Sequence, residues 1–237
     1  DLGKVFDSEP GSVVVPNPDL KAEYAYNVDL NVAKLFGKNV KVDLSGYYTL
    51  LDNAMVRRDF TLNGATEIIY DGELSNVQAI QNAANAKVYG IQAGVEVKSA
   101  SGFYFHGDLN FQKGEEELDN GTKSASRHAA PFFGIGRLGY ASSKLDLQLN
   151  AQFSDEVSYE DLAEEERGKP EIYAVDGNGN PYSPSWYTLN LKSMYKMTEN
   201  FTVTAGLENI TDQRYRPYSS GIVAPGKNFV LALRAKF

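Results

Sequence analysis

Six residues of the chain have side chains that could bind a planar or anionic ligand. They are Arg57, Arg58, Arg214, Tyr215, Arg216 and Tyr218. Arginine binds carboxylate, phosphate or catecholate oxygens in a bidentate manner, and tyrosine stacks on planar groups. We therefore take these residues as the candidate substrate-binding set. The alternative for each of them is a structural role, as an arginine that pairs within the protein or a tyrosine at a polar–apolar boundary.

Two histidines, His106 and His128, are the only imidazoles in the chain. Neutral imidazole binds haem iron, so a haem-ligating role is one interpretation of both residues. The other interpretation makes His106 a polar residue on one face of a strand and His128 a residue of a loop. With no cysteine in the chain, thiolate metal sites and thiol catalysis are excluded.

The remaining motifs favour no enzymatic activity. Residues 134–139 match G-x-G-x-x-G, but a dinucleotide site needs a helix after this motif, and here a turn and a strand follow. Residues 176–180 begin like an EF-hand loop, but Pro181 and Tyr187 occupy the positions that require glycine and glutamate. Neither G-x-S-x-G nor H-E-x-x-H occurs. We expect no catalytic residue, no resident metal and no cofactor.

Two acidic runs, 115–117 and 155–166, leave two interpretations open. Carboxylates in such runs bind divalent cations in some proteins. In others they are solvated loop charge.

Alternation of apolar and polar residues with a period of two is the dominant pattern of the chain. Between Leu145 and Ser154, apolar residues alternate with Asp146, Gln148 and Asn150. Successive side chains of a strand point to opposite faces, so such a strand has one apolar and one polar face. The pattern predicts nine strands, at 25–34, 39–51, 86–98, 102–112, 130–141, 144–154, 186–196, 200–209 and 228–237.

The connections between these strands alternate between short and long. Short turns lie at 37–38, 99–101, 142–143 and 198–199, and long polar loops lie at 53–85, 113–129, 157–184 and 211–226. Strands of about 9–11 residues can cross a bilayer. Short turns on one rim and long loops on the other are typical of outer-membrane barrels. The sequence therefore predicts an all-β, antiparallel transmembrane β-barrel, with apolar residues facing lipid and His106, Asp146, Gln148 and Asn150 facing the lumen.

Chain direction adds a further expectation. If the last strand ends at the periplasmic rim, residues 1–22 form an extracellular loop and residues 23–237 hold the strands. Complete bacterial barrels have an even number of strands and start at the periplasm. We therefore expect the chain to be the C-terminal part of a larger barrel.

Composition agrees with this interpretation and excludes others. The 237 residues carry a formal net charge of −8, which argues against a nucleic-acid partner. No apolar run is long enough for a transmembrane helix. The mean hydropathy of −0.38 is no obstacle to a membrane barrel, because only every other residue of a barrel strand must be apolar.

Several motifs of the chain resemble those of TonB-dependent receptors, the active transporters of bacterial outer membranes. The motifs lie at 17–23 (Asn-Pro-Asp-Leu-Lys-Ala-Glu), 47–48 (Tyr-Tyr), 52–54 (Asp-Asn-Ala), 57–58 (Arg-Arg), 88–92 (Val-Tyr-Gly-Ile-Gln), 208–215 (Glu-Asn-Ile-Thr-Asp-Gln-Arg-Tyr), 225–229 (Pro-Gly-Lys-Asn-Phe) and the terminal Phe237. The order and spacing of these motifs carry the resemblance over nearly the whole chain.

The resemblance implies a barrel of about 22 strands with a plugged lumen, of which this chain holds the last nine without the plug. It implies location in the outer membrane, in contact with lipid and lipopolysaccharide, and import of a scarce large solute. That solute is a small-molecule metal chelate such as a ferric siderophore, haem or cobalamin. TonB would supply energy through the missing N-terminal part. The alternative is a non-transporting β-module, either an adhesin-like barrel or an outer-membrane protein that binds or imports glycans.

Overall fold

Strands dominate the computed structural model of the chain, which describes residues 11–118, 121–126, 129–130, 132–169 and 171–237. Fourteen strands and one short helix are present in this part. The strands are β1 (Ser12–Val15), β2 (Tyr24–Phe36), β3 (Val40–Asp59), β4 (Glu67–Tyr70), β5 (Glu73–Lys98), β6 (Phe103–Glu117), β7 (Lys123–Ala125), β8 (Phe132–Ala141), β9 (Leu145–Ser154), β10 (Ala174–Val175), β11 (Pro181–Tyr182), β12 (Trp186–Lys196), β13 (Phe201–Glu208) and β14 (Asn228–Ala235). The helix α1 covers Glu164–Arg167, and no helix of the described residues has the length and apolarity to cross a membrane.

All nine strands expected from the period of two are present as long strands. All strands except β10 and β11 belong to one 12-stranded sheet. Its long strands follow the order β14-β13-β12-β9-β8-β6-β5-β3-β2. Each long strand therefore neighbours the long strand that precedes it in the sequence, and every register that is resolved between them is antiparallel. The short connections also lie where the sequence predicts them, at 37–39, 99–102, 142–144 and 197–200.

The chain divides into two compact units. The first consists of the residues up to Val28 with Tyr48–Val88 and Gly114–Ser126, and the second of Asp29–Tyr47, Tyr89–Lys113 and Arg127–Phe237.

In the second unit, a row of apolar residues runs across five neighbouring strands. The cross-strand partners are Leu138, Leu149, Leu191, Leu207 and Phe229. Direct partners in an antiparallel pair lie on the same face of the sheet. Leu138 is 55% exposed, and Leu149 and Leu191 are 43% and 40% exposed. An exposed apolar row of this kind is the outward pattern of membrane barrel strands.

The opposite face of the same strands is polar and half-buried. Arg137 pairs with Asn150, and Asn150 pairs in turn with Asn190. Gln148 and Lys192 form the next pair along the strands. Arg137, Gln148, Asn150 and Asn190 are half-buried, and only Lys192 of these polar residues is exposed. Burial is thus largely inverted relative to a water-soluble protein, since Leu138, Leu149 and Leu191 on the other face are exposed.

Glycines in β8 make room for side chains of neighbouring strands. Tyr104 lies directly opposite Gly139, and a Cβ at Gly139 would overlap the tyrosine ring. The ring therefore crosses over Gly139, so that the Tyr104 hydroxyl donates to Asp146 at 3.0 Å and accepts from Gln148 Nε2 at 3.1 Å. Residues 134–139 lie wholly within β8, which confirms that the G-x-G-x-x-G match consists of strand glycines.

The first unit contains a small apolar core of its own. Val13 and Val15 of β1 pack with Val77 and Ala79 of β5, and Phe60 and Ile68 cover them. β1 runs parallel to residues 76–79 of β5, whereas β4 pairs with residues 73–76 in an antiparallel hairpin.

This core corrects two expectations about loops. Residues 12–15 form a strand within the segment that we expected to be an extracellular loop, 1–22, and β3 and β5 extend far into the expected loop 53–85. The first error arose because Ser12–Val15 does not alternate: its three valines are all buried, as is usual for a strand that pairs in parallel under cover. The second arose because Asp71-Gly72, with φ of 51° and 86°, forms a hairpin turn that joins β4 to β5 inside the expected loop.

Candidate functional site

Three neighbouring cavities meet at an aromatic pair in the second unit. Trp186 begins β12, and Tyr215 follows β13 in the long connection to β14. Their rings stack with centroids 4.2 Å apart and an interplanar angle of 30°. Tyr215 lines the first and second cavities, and Trp186 lines the second and third, so the pair is their common wall.

The first cavity lies against the polar face of β8, β9, β12 and β13 and has a volume of about 380 Å³. Even-numbered residues of β9 and β12 line it because the strand alternation brings them to one face. Its polar and charged lining consists of Arg137, Gln148, Asn150, Gln152, Thr188, Asn190, Lys192, Glu208, Asn209 and Tyr215. We call it the polar cavity.

The second cavity is a cleft of about 390 Å³ between two loops. Residues 171–174 and 183–186 form one wall, and residues 214–217, 219–220 and 223 form the other. Arg214 is exposed in this loop cleft. Arg216 donates from Nη1 to the backbone carbonyl of Glu171 at 2.8 Å, which ties the two walls together.

The third cavity is mostly apolar and has a volume of about 460 Å³. Phe133, Ile135, Phe153 and Pro217 supply apolar lining, and Trp186 and Tyr218 line it as well. Cavities of these sizes fall in the range of small-molecule sites.

Asn209 holds the loop that carries Tyr215. It is 4% exposed, and its Nδ2 donates to the carbonyls of Gln213 at 2.8 Å and Pro225 at 3.1 Å. Its Oδ1 accepts from the backbone N–H of Gln213 at 3.0 Å, and its own N–H donates to Asn190 Oδ1 at 2.8 Å. Asp212 closes the other end of the loop, since its carboxylate accepts from the N–H of Lys227 at 2.7 Å. Two residues of the motif at 208–215, Asn209 and Asp212, thus hold the loop 209–226 closed, and we call them the loop clamp.

Four of the six candidate substrate-binding residues lie in these cavities. Arg214, Tyr215 and Arg216 line the loop cleft, and Tyr218 lines the apolar cavity. The other two belong to the first unit and line none of the three cavities. Arg58 donates from Nη2 to Glu117 Oε1 at 3.1 Å and to the carbonyl of Leu118 at 2.9 Å. Its positive charge is therefore paired with a carboxylate of the protein itself. Arg57 is half-buried on β3.

The four residues expected to face a lumen all lie on the polar face. Gln148 and Asn150 line the polar cavity, and Asp146 is bound by Tyr104. His106 Nε2 lies 2.6 Å from Asp108 Oδ2, and Arg137 Nη1 lies 3.7 Å from the same oxygen. That this face encloses a lumen stays a prediction. His128 lies outside the described residues.

The acidic runs are largely engaged within the protein. Glu115 pairs with Lys87 at 3.2 Å and with Lys123 at 3.1 Å. In the second run Glu166 is fully buried, and its carboxylate accepts from Lys169 at 2.9 Å and from the Tyr173 hydroxyl at 2.6 Å. Within the part of the chain that the structure describes, no three His, Asp or Glu side chains are grouped so that they could hold a metal ion.

The Asp176 carboxylate organises a turn between β10 and β11. It accepts from the backbone N–H groups of Asn178 and Asn180, both at 2.8 Å. The Asn180 hydrogen bond is the main reason that the pKa of Asp176 is lowered below its ordinary value. This supports the turn interpretation of residues 176–180 over the calcium one.

Sequence reasoning missed three features of the site. Trp186 and the cation Lys192 lay only within the expected strand 186–196, and Asn209 and Asp212 lay only within the motif at 208–215. A signal was present for Asn209, because a short amide side chain directly after a strand commonly hydrogen-bonds the backbone of the next turn.

An up-and-down antiparallel sheet with an exposed apolar face, a half-buried polar face and cavities under its long loops defines the wall of an outer-membrane-type β-barrel. The family model described as TonB dependent receptor-like, beta-barrel matches residues 2–210. The chain belongs to this family, whose members are outer-membrane receptors, and its fold is part of the family's barrel.

Solved structures with this fold share little sequence with the chain. The ferric enterobactin receptor PfeA of Pseudomonas aeruginosa is 17% identical, with a TM-score of 0.71 over 95% of this chain and 33% of that protein. The FrpB iron transporter of Neisseria meningitidis is 14% identical, with a TM-score of 0.68 over 95% and 33%. The copper transporter OprC is 13% identical, with a TM-score of 0.66 over 93% and 32%. The chain thus spans about a third of each of these proteins, and among curated protein sequences none matches it.

Proposed function

We propose that this chain forms the C-terminal part of the barrel of an outer-membrane active transporter, and that the whole receptor imports a scarce large solute with energy supplied through TonB. The observation that carries the proposal is the group of three cavities around Trp186 and Tyr215, the first of them against the polar face, in a chain of this family. A transporter needs a binding site that opens to its long-loop side and lies on the water-filled face of the barrel.

The identities of the related structures support a metal chelate as the solute. A ferric enterobactin receptor, an iron transporter and a copper transporter share the fold. We therefore propose ferric siderophore, haem or cobalamin as the class of cargo, outer-membrane lipid and lipopolysaccharide as the surroundings, and TonB as the energy-coupling partner.

Uptake by the full-length receptor tests the proposal. The receptor is expressed in an outer-membrane host without other iron-chelate receptors, and accumulation of labelled iron chelates, haem and cobalamin is measured with and without TonB. We expect TonB-dependent accumulation of one of them. TonB-independent adhesion or glycan binding without accumulation would contradict transport and favour the non-transporting module.

A pair of neighbouring variants links uptake to the site. Trp186→Ala removes the common wall of two cavities, whereas Tyr187→Ala removes an exposed aromatic residue of β12 that lines none of the three cavities. We expect the first variant to lose uptake and the second to retain it, with equal amounts of both in the outer membrane. Equal uptake by the two variants would place the solute site elsewhere.

A further inference from the structure

The candidate site has a charge opposite in sign to that of the whole chain. The polar cavity and the loop cleft are lined by four cationic and two anionic side chains, a net charge of +2, whereas the chain carries −8. The cations are Arg137, Lys192, Arg214 and Arg216, and the anions are Glu171 and Glu208. A cleft of one sign with low-dielectric walls concentrates ligands of the other sign.

Three of these cations keep their charge available to a ligand. Arg214 is exposed, and neither it nor Lys192 lies within ion-pair distance of a carboxylate in the described ranges. Arg216 donates to a neutral backbone carbonyl, which orients the guanidinium without cancelling its charge. Arg137 is different because Asp108 lies 3.7 Å away and partly compensates it.

Aromatic rings stand beside these cations. Tyr215 lines both charged cavities, and Trp186 stacks on it and continues into the apolar cavity with Phe133 and Tyr218. A guanidinium next to an aromatic face is suited to a ligand that has both anionic oxygens and a planar ring, because it binds the oxygens bidentately while the ring stacks. A neutral ligand would leave the cations of the cleft without a partner.

We infer that the solute is an anionic metal chelate with aromatic groups, and that Arg214 binds its negatively charged oxygens. This inference rests on the proposed function and narrows it. Two sources share this chemistry, a ferric catecholate complex and haem with its carboxylates. Neutral chelates, such as ferric trihydroxamates and cobalamin, do not have it.

Binding to the detergent-solubilised full-length receptor separates these classes. The probes are ferric enterobactin, haem, a neutral ferric trihydroxamate and cobalamin, each titrated at low and high salt. We expect one of the two anionic probes to bind. Arg214→Gln should weaken that binding at least about tenfold at low salt, as for the loss of one charge-assisted hydrogen bond, and less at high salt.

Two further variants keep the result specific to the cleft. Lys38→Gln makes the same change of charge at an exposed short turn and should leave affinity unchanged. Arg214→Lys keeps the charge without the planar fork and should fall between wild type and Arg214→Gln.

Each outcome decides the inference. If haem binds, the solute is haem; if ferric enterobactin binds, the solute is a ferric catecholate complex. Tight binding of a neutral probe, or anionic binding that Arg214→Gln and Lys38→Gln weaken equally, would overturn the inference while the transport function stands. Failure of all four probes together with absence of TonB-dependent uptake would overturn both.

Discussion

Replacement of Asn209 by alanine should release the loop that carries Tyr215 while leaving the strands intact. The asparagine side chain makes three short hydrogen bonds within this loop, to the carbonyls of Gln213 and Pro225 and from the N–H of Gln213, and a long one of 3.5 Å from the Thr211 hydroxyl. Its backbone has a φ of 46°, a left-handed conformation that asparagine tolerates better than alanine does.

The size of the effect follows from these contacts. A buried hydrogen bond contributes about 1 kcal/mol, so the loss of three costs about 3 kcal/mol. The left-handed backbone adds about 1 kcal/mol for alanine and almost nothing for glycine. We expect the closed form of loop 209–226 to lose about 4 kcal/mol in Asn209→Ala and about 3 kcal/mol in Asn209→Gly.

Hydrogen exchange of the full-length receptor measures this opening directly. Because 1.4 kcal/mol corresponds to a factor of ten, amides of residues 210–226 should exchange up to about a thousandfold faster in Asn209→Ala. Solute affinity should fall in parallel, because Tyr215 no longer stays against Trp186. Asn200→Ala, which removes an asparagine hydrogen bond at a short turn, should leave this loop protected. Unchanged protection of residues 210–226 in Asn209→Ala would refute the clamp.

Three other predictions concern the sheet and an outer loop. Gly139→Ala should lower the free energy of unfolding by about 1–3 kcal/mol, because its Cβ would overlap the ring that crosses it, while Gly136→Ala, with only one contact at 3.9 Å, should be neutral in the same denaturant titration. Leu149→Arg should cost about 2–4 kcal/mol of unfolding free energy in lipid vesicles, and Asn150→Arg on the polar face should cost much less; equal costs would contradict the assignment of faces. Because the pKa of Asp176 is lowered in the folded protein, its carboxylate stabilises the turn at pH values above the ordinary aspartate pKa, and this stabilisation should be lost as the pH falls through the lowered pKa. Hydrogen exchange of residues 176–180, corrected for intrinsic rates, should therefore rise in that pH range in the wild type. In Asp176→Asn the corrected exchange rate should be independent of pH.

The long strands could be predicted because their pattern is local. In β9 every second residue is apolar, and β12 alternates in the same way from Tyr187 to Leu191. A period of two needs no knowledge of the partner strand. The alternation of short and long connections then gave the order of the sheet, since neighbouring long strands pair with one another. The weakest strand in the sequence, β8, loses its alternation because Gly139 accommodates Tyr104 of another strand.

The features that the sequence did not reveal depend on partners distant in the chain. Three valines of β1 are buried because β1 pairs with residues 76–79. A short apolar run does not reveal which segment more than sixty residues later in the chain is its partner. The stacking of Trp186 and Tyr215 likewise depends on the position of a loop, which Asn209 and Asp212 fix. The candidate arginines could be predicted by residue type, but the ion pair that engages Arg58 could not.

The candidate site is built from loop residues that the ends of strands hold in place. Trp186 is the first residue of β12, and Asn209 directly follows β13, so both stand on strand ends whose positions the sheet determines. The clamp transmits that rigidity to residues 213–226, and the cations between the clamp points project into the cleft. A change of side chain at position 214 or 216 can therefore alter the charge presented to the solute without altering the strands. This is the arrangement expected where rigid elements hold a site and loop residues between them choose the ligand.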